Sequence, residues 1–149
     1  MWHPHVTVAT VICKDNRFLM VKEMSLDKLV YNQPAGHLED GETLLEAATR
    51  ETLEETCWNT NFVHYLGVSQ YLAPNMATYI RHSFVALALS LNEFQIRDSD
   101  ILDIEWLSYE QLLIKKDSLR SPLVMNDIKR YRRQAFLPLD TIQDFTYTS

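Results

Sequence analysis

The hydrophobic pattern changes period several times along the chain, and each change marks an element. His5 to Cys13 (HVTVATVIC) is rich in β-branched residues and reads as a buried strand. Arg17 to Lys22 (RFLMVK) reads as its hairpin partner across the short polar turn Lys14-Asp15-Asn16. A loop is expected from Ser25 to Gln33, after which Pro34-Ala35-Gly36 breaks any regular pattern. Thr43 to Cys57 is the clearest helix: Thr43 and Glu46 form a T-x-x-E capping box, and Gly41 lets the chain turn into it. Phe62 to Leu72 and Tyr79 to Leu91 read as long strands joined around Ala73-Pro74-Asn75. Ile104 to Leu107 is a short strand and Tyr109 to Lys115 a short helix; Ser121-Pro122 then supplies the N-cap and first position of a last helix reaching about Gln134. Strands and helices alternate without a strict βαβ rhythm, which predicts an α/β (α+β) chain with a mixed sheet and helices packed on its faces. No repeat or linker interrupts residues 1–149, so one domain is expected.

Charge narrows the chemistry. At a net charge of -6 the chain does not suit a nucleic-acid polymer, which demands a cationic surface. The one basic run, Lys129 to Arg133 (KRYRR), is expected on the solvated face of the last helix. An acidic protein that handles small phosphorylated ligands must neutralise them locally, and a divalent cation does so. Cys13 and Cys57 form no C-x-x-C pair and are too few for a zinc site or a disulfide framework, so both are expected to be reduced and packed. The N-terminal residues lack the pattern of a signal peptide, and no run approaches the ~20 apolar residues of a membrane span. The expected location is the cytoplasm, as a monomer or homodimer without membrane partners.

The predicted helix breaks two local rules in one place. On a period of 3.6, Glu51, Glu54 and Glu55 fall within an arc of about 100°. Glu51 and Glu55 repel at i,i+4, and all three sit in the last turns, where the helix dipole prefers cations. Bound divalent cations reverse the sign of both penalties, and hard ions such as Mg²⁺ take oxygen ligands. A solvated acidic face is the plain alternative, but the flanks weigh against it. Gly36 and Gly41, two of the three glycines in the chain, lie just ahead of the helix. Without a Cβ, Gly36 lets its carbonyl approach a metal or phosphate. Arg50 can orient a carboxylate or neutralise the cluster when metal is absent.

This segment resembles the Nudix box, G-x5-E-x7-R-E-U-x-E-E-x-G-U with U a bulky apolar residue. Gly36, Glu42, Arg50, Glu51, Glu54 and Glu55 match in register, whereas Thr52 replaces an apolar residue and Cys57 a glycine. Segments Pro4 to Ala9, Asn32 to Glu39, Asp98 to Ile101 and Leu119 to Val124 are similar to NudJ-type phosphatases, a likeness that extends to at least Asp144. The resemblance implies an α/β/α sandwich with the catalytic helix beside a mixed sheet. It also implies Mg²⁺-dependent hydrolysis (Mn²⁺ a possible substitute) of phosphoanhydride bonds in small substrates. These are nucleoside tri- and diphosphates, hydroxymethylpyrimidine diphosphate or thiamine diphosphate, with release of orthophosphate. Hydrolysis of oxidised nucleotides or dinucleotide polyphosphates remains an alternative, as does a non-catalytic nucleotide-sensing module.

Site roles follow from both readings. Glu51, Glu54 and Glu55, with the Gly36 carbonyl, are the expected metal ligands, and one glutamate, Glu51 foremost by resemblance, doubles as the base. Asp100, six residues before Trp106, is a candidate further ligand or base, with a loop or cap role as its alternative. Glu42 is expected to support Arg50 or the metal's surroundings. His37, Arg81, Arg120 and Tyr71 are candidate substrate contacts. Against these stand a loop-stabilising role for His37, exposed salt bridges for the arginines, and core packing for Tyr71 and Tyr79.

Overall fold

The N-terminal β-branched run becomes β1 (His5–Lys14), on which the rest of the sheet is assembled. The computed structural model describes residues 1–145, and the features below are those of that range. β2 (Arg17–Ser25) and β3 (Lys28–Asn32) extend the sheet on one side; β6 (Thr78–Leu91) and β5 (Trp58–Leu72) extend it on the other. β4 (Ala35–His37) pairs with β1, and β7 (Ile101–Ser108) pairs with β2. β1 runs parallel to β6 and antiparallel to β2 and β4, so the seven-stranded sheet is mixed. Along one edge β1 is shared. Its end (Cys13↔Phe18) takes β2, while Thr7 to Ala9 take His37 to Ala35 of β4. Between these two pairings the Thr10 amide donates to the Pro34 carbonyl at 3.0 Å.

One expectation fails here. Ser25 to Gln33 is a hairpin turn and a strand instead of a loop. Leu26 (φ 51°) and Asp27 (φ 63°) make a two-residue turn with both residues left-handed, the geometry that matches strand twist. A leucine in that region is unusual, which hid the turn. Asp15 (φ 52°) and Asn16 (φ 61°) make the equivalent β1–β2 turn with residues that suit it. Pro34-Ala35-Gly36, expected to break any regular pattern, instead leads into strand β4, because Ala35 to His37 pair with Ala9 to Thr7 of β1. Differences of extent are that β5 begins at Trp58, β7 begins at Ile101, and the last helix ends at Arg132.

Helix α1 (Leu44–Thr56) carries the predicted capping box: the Glu46 amide donates to Thr43 Oγ1 and the Thr43 amide to Glu46 Oε1, both at 3.1 Å. Its Ala47 and Ala48 pack with Val8, Tyr65 and Phe84 on one face of the sheet. On the opposite face α2 (Tyr109–Ile114) and α3 (Pro122–Arg132) place Leu112, Val124 and Ile128 against Val11, Phe18 and Leu66. This is the expected α/β/α layering. The basic run is only partly solvated: Tyr131 joins the core, and Arg130 lies so close to Gly67 (φ 113°) that a Cβ there would meet its Nη2 at 2.6 Å. No helix among the described residues is long and apolar enough to cross a membrane.

Both departures from the box pattern have a local cause. Thr52 is fully buried; its hydroxyl donates to the Ala48 carbonyl (2.8 Å) and lies 3.2 Å from the equally buried Thr10 hydroxyl of β1. A polar pair thus replaces an apolar contact between helix and sheet, with its hydrogen bonds satisfied. Cys57 caps the helix in the left-handed conformation (φ 62°), where glycine is free of strain. Its thiol only reaches the Gln95 carbonyl at 3.4 Å. Cys57→Gly should therefore stabilise the protein by up to about 1 kcal/mol, raising Tm by about 3 °C in a thermal melt. A lowered Tm would mean that the thiol contact outweighs the strain.

Candidate active site

The last two turns of α1 present Glu51, Glu54 and Glu55 toward β4, and the chain arranges counter-charges around them. Arg50 is the hub. Its Nε and Nη2 donate to the two Glu42 carboxylate oxygens (2.7 and 2.8 Å), a paired geometry only a guanidinium makes. Its Nη1 donates to Glu51 Oε1 at 2.7 Å and reaches Glu54 Oε2 at 3.4 Å, while Nη2 also donates to the His37 carbonyl at 3.0 Å. Glu39 stands 3.5 Å away. The Arg50 bonds hold the Glu42 carboxyl down to about 2, and the carboxylates in turn fix Arg50 in its charged form.

Glu55 has no cationic side chain paired to it among the described residues. Its Oε1 accepts a hydrogen bond from the Ala35 amide (2.8 Å), yet burial pushes its carboxyl up to about 9. The charges of Glu51, Glu23 and Asp98 add to that rise. Burial likewise raises Glu51, against the pull of Arg50. Gly36 explains how the group fits under β4: a Cβ there would overlap the Glu51 carboxylate.

The donors fit a hard divalent cation chemically. Three carboxylates and a glycine carbonyl supply only oxygen, and Glu55 is a buried acid whose ionised form has no counter-charge. Among the described residues, however, no three acidic, histidine or cysteine side chains converge as metal ligands do. Arg50 lies between Glu51 and Glu54 as an internal cation.

Beside β4 opens a cleft of about 530 Å³, whose wall includes Ala35, Gly36 and His37. Four predicted contacts line it: His37, Tyr71, Arg81 and Arg120. Tyr71 faces Tyr79, another lining residue, across the β5–β6 ladder, and the His5 ring lies 5.3 Å from that of Tyr79. His37 is exposed, its imidazole shifted down by partial burial and by His5 and Arg120 nearby. Arg120 makes the exposed pair that stood as the alternative to a substrate contact, donating to Glu23 at 2.7 Å. Arg81 does not: it is 5% exposed, its Nε donating to Asp127 Oδ2 (3.1 Å) and its Nη2 to Gln33 Oε1 (2.6 Å). Ser83 donates to the same Asp127 oxygen at 2.8 Å.

Asp100 makes no hydrogen bond with Glu51, Glu54 or Glu55 among the described residues. It is exposed, and its amide donates to the Asp98 carboxylate. On this loop it is Asp98 that bears on Glu55: its own amide donates to the Glu54 carbonyl at 2.8 Å and pins the loop to the end of α1. Sequence reasoning also passed over Glu23, Asn32 and Asp127. Asn32 sits in a run singled out for its likeness; Glu23 and Asp127 carry no local signal.

A carboxylate helix under a glycine strand, beside a cleft with cationic side chains, is the setting of a phosphate-handling hydrolase. The chain matches the NUDIX domain family over residues 3–128 and belongs to it: this is a Nudix hydrolase. It is 42% identical over 147 residues to the Phosphatase NudJ of Shigella boydii, across 99% of this chain and 95% of that one. The Phosphatase NudJ of Escherichia coli is 41% identical over the same length. A solved NUDIX hydrolase from Nitrosomonas europaea superposes with a TM-score of 0.92 at 35% identity, covering 96% of this chain and 98% of that chain.

Proposed function

We propose that the chain hydrolyses phosphoanhydride bonds in small diphosphates and triphosphates, with Mg²⁺ held by Glu51, Glu54, Glu55 and the Gly36 carbonyl. Mn²⁺ would serve in its place. The observation that carries this reading is Glu55, a buried acid with no cationic side chain paired to it among the described residues, its Oε1 held by the amide of Ala35 in the cleft wall. When bound, the ion supplies neutralisation of phosphate charge and acidification of a water. The rest falls to the chain. Arg50, gripped by Glu42, holds Glu51 in place as the foremost candidate to accept the water's proton. His37, Arg81 and Arg120 take phosphate oxygens, and Tyr71 with Tyr79 takes a ring by stacking. Asp98 and Asp100, on the loop over the helix end, are the candidates for a further acidic ligand or base, with Asp98 the nearer.

Likeness to proteins named Phosphatase NudJ favours orthophosphate as product. The substrates proposed, as the resemblance of the sequence implies, are nucleoside di- and triphosphates, hydroxymethylpyrimidine diphosphate and thiamine diphosphate. Both cysteines are free, which suits the cytoplasm as the proposed location. A substrate panel at equal concentration, with orthophosphate and pyrophosphate assayed separately, tests the reading. Orthophosphate should dominate; dominant pyrophosphate from a nucleoside triphosphate would point instead to a pyrophosphohydrolase.

A further inference from the structure

We infer that Asn32 is a substrate-binding residue that hydrogen-bonds the substrate's phosphate oxygens, in one cleft with Arg81 and Arg120; this rests on the function proposed above. Asn32 is 8% exposed and lines the cleft, and its Oδ1 is buried with no hydrogen-bond partner among the described residues. More than nine in ten buried polar groups in proteins are paired, so an orphaned carboxamide beside a cleft is a group left for a ligand. Its backbone is fixed, because Asn32 pairs with Val21 in the β2–β3 ladder. Only the amide is free to turn. A half-turn about its last bond exchanges oxygen for NH₂, so it can offer a donor or an acceptor.

The neighbours decide between them. The next residue, Gln33, accepts from Arg81 Nη2 at 2.6 Å, and its own Nε2 is anchored on the Val124 carbonyl at 2.9 Å. The preceding residue, Tyr31, takes the Arg120 backbone amide on its carbonyl at 2.8 Å. Gln33 thus holds the Arg81 guanidinium and Tyr31 the Arg120 backbone, and Asn32, Arg81 and Arg120 line the same cleft. Glu23 is the acidic exception in this cleft, and it is paired with Arg120. A cleft that Asn32 shares with two arginines suits an acceptor-only anion, so Asn32 presents its NH₂ to phosphate.

The test uses Asn32→Asp and Asn32→Ala in the whole protein with Mg²⁺ present. Binding of methylenebisphosphonate, which is not hydrolysed, is measured by calorimetry, and KM and kcat on a turned-over diphosphate are measured alongside. Aspartate keeps the shape but turns a donor into a negative acceptor, so it should weaken binding about a hundredfold and alanine about tenfold. The loss should appear in KM more than in kcat. Asn32→Ala should melt no lower than wild type, since the buried oxygen has no bond to lose. Equal or tighter binding by Asn32→Asp would overturn the assignment in favour of a donor-bearing ligand group. Should that variant fail to fold, Asn32→Ala decides, and wild-type affinity in it would overturn the assignment outright. Wild-type protein that neither binds the bisphosphonate nor cleaves any anhydride would sink the proposed function itself, a separate and visible failure.

Discussion

Replacing Glu55 by Gln is expected to lower turnover about a thousandfold while leaving the metal-free protein at least as stable as wild type. The two effects have one cause. Without metal, burial keeps the Glu55 carboxyl near 9, so at neutral pH the side chain is already a neutral acid. Glutamine copies that form, and its carbonyl oxygen can still accept from the Ala35 amide. What it lacks is the charged state that a divalent ion would bind. Stability should show this directly. Between the ordinary value of 4.5 and about 9, the native chain holds a proton at Glu55 that the unfolded chain has released. Stability of the metal-free protein therefore falls as pH rises through that window, and Glu55→Gln removes this part of the slope. Melts with a chelator at pH 6 and pH 8.5 measure it. Glu54→Gln should lose turnover comparably, without the stability effect, because that side chain is 43% exposed. Full turnover in both variants would end the metal-helix mechanism.

The helix was legible because its signals are local. The capping box, the glycines ahead of it and the acidic face all lie between Gly36 and Cys57, and the structure reproduces the box in both hydrogen bonds. What was not legible depends on partners far along the chain. Arg81 is buried because Asp127, 46 residues away, folds back from α3 to meet it. Thr52 looks like a flaw in an apolar stripe until Thr10, 42 residues earlier, lies beneath it. Asp98 approaches Glu55 because a loop docks by a backbone bond to the Glu54 carbonyl, which side-chain spacing to Trp106 does not encode. The β2–β3 hairpin was missed for a different reason: Leu26 adopts a conformation its own preferences oppose, and the strand pairing that holds it there is not local.

Gly36→Ala separates the arrangement of the acids from their identity. The added Cβ meets Glu51 at its carboxyl end, so the flexible side chain gives way and the backbone of β4 need not. Stability should change little, since the ladder from Thr7 to Ala9 against His37 to Ala35 keeps its bonds. Activity should not survive as well. Glu51 is tied to Arg50 Nη1 at 2.7 Å, and that guanidinium also holds Glu42 and reaches Glu54, so moving one carboxylate disturbs the set. A displacement of about 1 Å in a reacting group costs about a hundredfold in rate, and that is the expected fall in kcat. Circular dichroism and a melt should match wild type beside that loss. Wild-type turnover in Gly36→Ala would show that Glu51 works equally well from a second position, and the close fit of glycine over the carboxylate would then have no part in the reaction.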